Sequence, residues 1–187
     1  MIFAHFLVVE VNEANMFIVA CRETRSAMLI DAAAFDPRIP AFLEKHDLTL
    51  ESLFITHAHY DHINGLAEFA RAYNPVIYAG VSTIANTPTQ KVAHNESITL
   101  GNIEAHVVAL PGHTPEAIGI VFPHMVFTGD ALFSGSIGGT ANIHNKAIEI
   151  DAIRKHIFTL PEDTLIHTGH GPSSTVAIEK NYNPFFV

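Results

Sequence analysis

Thr56-His57-Ala58-His59-Tyr60-Asp61-His62 places four metal-capable side chains within six residues. On a helix, metal ligands favour spacings of three or four, as in HExxH. Spacings of two, two and one suit a turn leaving a strand. In extended geometry His57, His59 and Asp61 share one side and His62 points away. The stretch therefore splits into two ligand groups serving two ions. Upstream, Leu53–Ile55 reads as a short buried strand. Downstream, Ile63, Leu66, Ala67, Ala70 and Tyr73 keep helical spacing.

Three other places share this local syntax of apolar strand, glycine turn and ligand-type side chain. Val107–Leu110 runs into Pro111-Gly112-His113, Met125–Phe127 into Thr128-Gly129-Asp130, and Leu165–Ile166 through His167 into Thr168-Gly169-His170. Glycine lets the backbone turn sharply where a β-carbon would clash. Open sheets place their sites beyond strand ends, so four such ends can converge on one cleft. Five His and two Asp are too many for one tetrahedral ion but fit two. Imidazole and carboxylate without thiolate suit zinc, iron or manganese. Two divalent ions, two ionised Asp and one bridging hydroxide would carry a formal charge of about +1, which attracts a developing oxyanion. Such a pair holds a hydroxide nucleophile and polarises the attacked carbonyl or phosphoryl oxygen.

The rest of the chain sets bounds. Its 187 residues are 48% hydrophobic and 16% charged, against disorder and in favour of one domain spanning residues 1–187. A net charge of −9 opposes a nucleic-acid partner. One cysteine, Cys21, excludes an intrachain disulfide and a multi-cysteine zinc site, and reads as a buried filler. No run of about 18 apolar residues is present, so no membrane span is expected. With one thiol and no leader-like segment, the cytosol is the expected compartment. There is no GxSxG elbow, so a serine nucleophile is not expected. Gly135–Gly139 lacks the ending of a phosphate loop and reads as a site wall.

Strands are expected at 2–11, 15–21, 27–30, 75–79, 103–110, 117–122, 125–128 and 164–167. Helices are expected from Asp36-Pro37 to about His46, along 63–73, and near 146–158, the last with Ile150, Ile153 and Ile157 on one face. Mixed strands and helices in one chain indicate an α/β or α+β layered fold. Among the remaining histidines, His144 is the best outside candidate for substrate contact, and His167 for support of a ligand.

THAHYDH, PGHTPE, FTGDALF and TGHGP, in this order, resemble the metallo-β-lactamase fold superfamily, and within it the short glyoxalase II-like (hydroxyacylglutathione hydrolase-like) hydrolases. The resemblance covers nearly the whole chain. It implies an αββα sandwich of two mixed β-sheets flanked by helices. It also implies that His57, His59 and His113 hold the first metal, that Asp61, His62 and His170 hold the second, and that Asp130 bridges both. Two divalent ions follow, zinc first, with iron or manganese as alternatives. Asp61 and Asp130 would be the catalytic carboxylates. Two-zinc β-lactamases usually put a cysteine where Asp130 stands, so antibiotic hydrolysis is not expected. The implied reaction is cleavage of a small thioester or related ester by a metal-bridging hydroxide. Gly139 stands where short relatives often have Arg, and the helical C-terminal region of glyoxalase II is missing, which turns the expectation away from a glutathione thioester. The alternatives are a single-iron persulfide dioxygenase using His57, His113 and Asp130, or a lactonase or phosphodiesterase of the same fold.

Overall fold

A computed structural model describes residues 1–187. The chain divides into two compact units, Met1–Val92 with Ile98–Glu104, and Ala93–Ser97 with Ala105–Val187.

The first unit begins with β1 (Ile2–Val8), β2 (Ala14–Ala20) and β3 (Ser26–Ile30). Helix α1 (Arg38–Lys45), β4 (Thr49–Phe54), α2 (Tyr60–Ile63), α3 (Leu66–Tyr73) and β5 (Val76–Ala79) follow. Short strands β6 (Thr83–Ile84), β7 (Thr87–Pro88) and β8 (Gln90–Lys91) follow, and β9 (Ser97–Leu100) is divided between the units after Ser97. One mixed sheet runs β1-β2-β3-β4-β5-β8. β2 and β3, flanked on both sides, are buried at every residue, which is why both read as near-continuous apolar runs. Ile18, Leu29 and Leu53 from the strands and Ile39, Leu43, Leu66 and Phe69 from the helices share its core.

Two expectations shift here. The helix expected along 63–73 is broken, because Gly65 donates to the Ala32 carbonyl at 2.7 Å and packs on the Ala34 backbone. Asp61 and His62, expected on an extended stretch, instead open the short α2, with His59 as its extended N-cap. At α1 the expected Asp36-Pro37 start holds within one residue, and the Asp36 carboxylate accepts from Arg38 N at 2.8 Å.

The second unit takes in most of β10 (Ile103–Ala109), then β11 (Ile118–Phe122), β12 (Met125–Gly129) and the hairpin β13 (Leu132–Phe133) and β14 (Ser136–Ile137). Helix α4 (Ile143–His156), β15 (Leu165–Thr168), β16 (Ser174–Thr175) and α5 (Val176–Tyr182) follow. The second mixed sheet runs β16-β15-β12-β11-β10-β9. α4 starts earlier than expected, because the Asn142 side chain accepts from Asn145 N and caps it. Ile153 and Ile157 are buried and join Val126, Leu132 and Ile166 in the core of this unit. Helix α5 is not among the helices expected from the sequence. Its Thr175 cap and its buried Glu179, which accepts from Gly135 N and Asn183 Nδ2, fasten the C-terminus to the β13–β14 hairpin. Phe186 packs edge-on against Phe158.

Candidate metal centre

In the first unit, the parallel register β3–β4–β5 sets Asp31 and Thr56 just past neighbouring strand ends. Sites in α/β sheets form at such carboxyl ends. Asp31 is buried and left-handed at φ 57°, a conformation Asp tolerates better than most residues. Its carboxylate accepts from Thr56 N at 2.8 Å, from Thr56 Oγ1 at 3.1 and 2.9 Å, and from His62 Nδ1 at 2.8 Å.

This network fixes two tautomers. A carboxylate only accepts, so His62 must carry its proton on Nδ1. The single hydroxyl proton of Thr56 goes to Asp31. Thr56 Oγ1 therefore accepts from His57 Nδ1 at 3.1 Å. Both imidazoles are left with a bare Nε2, the form that ligates metal. His57 Nε2 lies 3.1 Å from His59 Nδ1. Two Zn–N bonds of about 2.0–2.1 Å at a tetrahedral angle set nitrogens about 3.3 Å apart, so this spacing fits two ligands of one ion. Asp61 accepts from Asn12 Nδ2 at 3.0 Å, which ties the β1–β2 turn to that carboxylate.

In the second unit two imidazole nitrogens face one carboxylate oxygen. Asp130 Oδ2 lies 3.7 Å from His113 Nε2 and 3.5 Å from His170 Nε2. Those distances exceed hydrogen-bonding range and suit donors arranged around a cation. Asp130 and His170 follow β12 and β15, which are parallel neighbours, and Gly169 N donates to the Gly129 carbonyl at 2.9 Å. His113 Nδ1 donates to the Gly139 carbonyl at 2.7 Å, which again leaves Nε2 bare. The glycine-rich stretch thus serves the site through its main chain, in line with the expected wall.

Sequence reasoning missed two buried carboxyls that hold these donors, Asp31 and Glu149. Glu149 Oε1 accepts from His113 N at 3.1 Å. Burial, with the nearby Asp130 charge adding to it against the His113 N–H, pushes its carboxyl up to about 8. A signal existed for each. Asp31 ends a buried strand, and Glu149 continues the Ile153, Ile157 face by one turn. His144 is exposed on the first turn of α4. His167 pairs Nδ1 with Ser173 Oγ at 2.7 Å and stacks on Phe127. Cys21 is buried as expected, and the Thr24 hydroxyl helps lower its thiol to about 7.

The chain belongs to the metallo-β-lactamase superfamily, whose family model matches residues 10–170. It is similar to a probable metallo-hydrolase of Bacillus subtilis, YqgX, at 28% identity over 92% of both chains. A hydroxyacylglutathione hydrolase of Wigglesworthia glossinidia brevipalpis is 31% identical over 87% of this chain, which spans 63% of that relative's length. Among solved structures, ETHE1 from Myxococcus xanthus superposes with a TM-score of 0.90 at 30% identity, covering 98% of this chain and 84% of that one. The di-iron-bound form of TTHA1623 superposes with a TM-score of 0.77 at 25% identity, covering 92% and 95%. No helix is long and apolar enough to cross a membrane.

Proposed function

We propose that this chain is a metal-dependent hydrolase of a small thioester or related ester, with a dinuclear centre. In this reading His57, His59, His113 and Asp130 would hold one divalent ion and Asp61, His62 and His170 the other, and Asp130, whose Oδ2 also lies 3.5 Å from His170 Nε2, would serve both. The observation that carries it is the single Asp130 oxygen set between the Nε2 atoms of His113 and His170. The metallo-hydrolase and hydroxyacylglutathione hydrolase names of the relatives favour hydrolysis. Zinc is the first choice of ion, since the donor set is nitrogen and oxygen alone.

When bound, two divalent ions supply a hydroxide nucleophile at neutral pH and polarise the scissile carbonyl. The protein's own residues do the rest. Asp31 through Thr56, and the Gly139 carbonyl, hold the imidazoles in the ligating tautomer before any ion arrives. Asp61 and Asp130 would supply negative charge that offsets part of the charge of bound ions. The Asn12 amide holds Asp61 in place.

The test is steady-state turnover of a panel of thioesters, esters and lactones by zinc-replete protein, with Asp61→Ala beside it. Thioester turnover lost in the variant supports the reading, and inactivity across the panel removes it. A second reading, single-iron persulfide oxygenation through His57, His113 and Asp130, is favoured by the likeness to ETHE1. Oxygen uptake by iron-loaded protein with glutathione persulfide, without thioester turnover, would replace the first reading with the second.

A further inference from the structure

Glu149 is fully buried on the inner face of α4, yet only one of its carboxyl oxygens has a protein partner. Oε1 accepts from the His113 backbone N–H at 3.1 Å, and Oε2 is buried with no protein group in hydrogen-bond range. Burying a part-satisfied carboxyl costs stability, and an apolar side chain of the same size would cost less. Local rules broken in this way cluster at functional sites.

The surroundings are shaped to admit this side chain. A β-carbon at Gly112 would lie 2.2 Å from Glu149 Cβ, and one at Gly138 would lie 3.0 Å from Glu149 Oε1. Gly112 also has φ 145°, which a β-carbon would strain. Two glycines from two separate loops thus leave room for the carboxyl beside His113. On the far side, His113 Nδ1 donates to the Gly139 carbonyl at 2.7 Å. His113 is held at both ends, by Glu149 at its main chain and by Gly139 at its ring.

We propose that Glu149 is a positioning residue that sets how tightly the centre holds the ion bound by His113. The proposal rests on the reading of His113 as a metal ligand. Glu149 acts through the His113 main chain and touches neither ion nor substrate. Outer hydrogen bonds to ligands typically change metal affinity by about 10- to 100-fold.

Two variants test it: Glu149→Met, apolar and of similar length, and Glu149→Gln, which keeps the accepting oxygen. Zinc affinity is read by chelator competition, and metal-free stability by urea unfolding. The expected result is a zinc affinity about 10-fold or more weaker in Glu149→Met, with metal-free stability unchanged or raised, and recovery to within about threefold in Glu149→Gln. Equal zinc affinity in Glu149→Met and the parent overturns the proposal. So does a loss in Glu149→Met that Glu149→Gln fails to recover. Zinc binding without thioester turnover would sink the hydrolase reading and leave this one standing, whereas equal affinities would do the reverse.

Discussion

The two units hold their donors by different means. In the first, side chains hold side chains: Asp31 fixes Thr56 and His62, and Thr56 fixes His57. In the second, main chain does most of the holding. His113 donates to a glycine carbonyl, and Asp130 and His170 sit on strand ends joined by Gly169 N to Gly129 O. A side-chain network fails when one polar group is removed. A main-chain cradle fails when a β-carbon intrudes.

The largest expected effect breaks the first arrangement. Asp31→Ala strands the buried His62 Nδ1–H and the Thr56 donors, and should cost about 3–5 kcal/mol in urea unfolding. It should also weaken metal binding, because His57 and His62 lose their fixed tautomers. Next comes the second arrangement. In Gly138→Ala the new β-carbon would lie 2.1 Å from the Asp130 carbonyl oxygen, so the backbone carrying Asp130 must move. A displacement near 1 Å costs on the order of 10²-fold in turnover. Steady-state kinetics on the folded variant reads this directly.

A smaller effect comes from pH. The folded carboxyl of Glu149 lies at about 8 against an ordinary 4.5, chiefly through burial, so the folded state binds this proton more tightly than the unfolded one. Its contribution to stability is full below about 4.5 and is lost as pH rises through about 8. Metal-free protein should therefore lose stability across that window relative to Glu149→Gln. Parallel unfolding profiles for the two would contradict it. The smallest effect is Gly139→Ala, where a β-carbon meets nothing within 4 Å. Stability should stay within about 0.5 kcal/mol, and turnover should hold, because the carbonyl does the work and survives the change.

This contrast also explains what the sequence could show. His57, His59, Asp61 and His62 were legible as candidate ligands because side-chain chemistry at short spacing is written in the residues. Their local geometry was not. The α2 turn at Tyr60–Ile63 depends on hydrogen bonds to Ala32, such as Ala32 N to the His62 carbonyl at 2.8 Å, which lie far away in sequence. In the second unit, Gly112, Gly129 and Gly169 marked the turns, and His113, Asp130 and His170 followed. Gly139 drew attention for the side chain it lacks, whereas the structure uses its carbonyl, which every residue has. Glu149 was hidden because a charged residue on a helix reads as solvent-facing until its apolar neighbours are traced back one turn. The layered α/β class followed from strand and helix periodicity, while α5 depends on Glu179 reaching Gly135, a contact no local pattern carries.

Metal stoichiometry tests most directly whether Asp130 serves two ions. Protein saturated with zinc, freed of excess and measured by plasma mass spectrometry should carry close to two zinc ions per chain, falling in Asp130→Ala. A parent protein that saturates at one ion per chain would contradict the account.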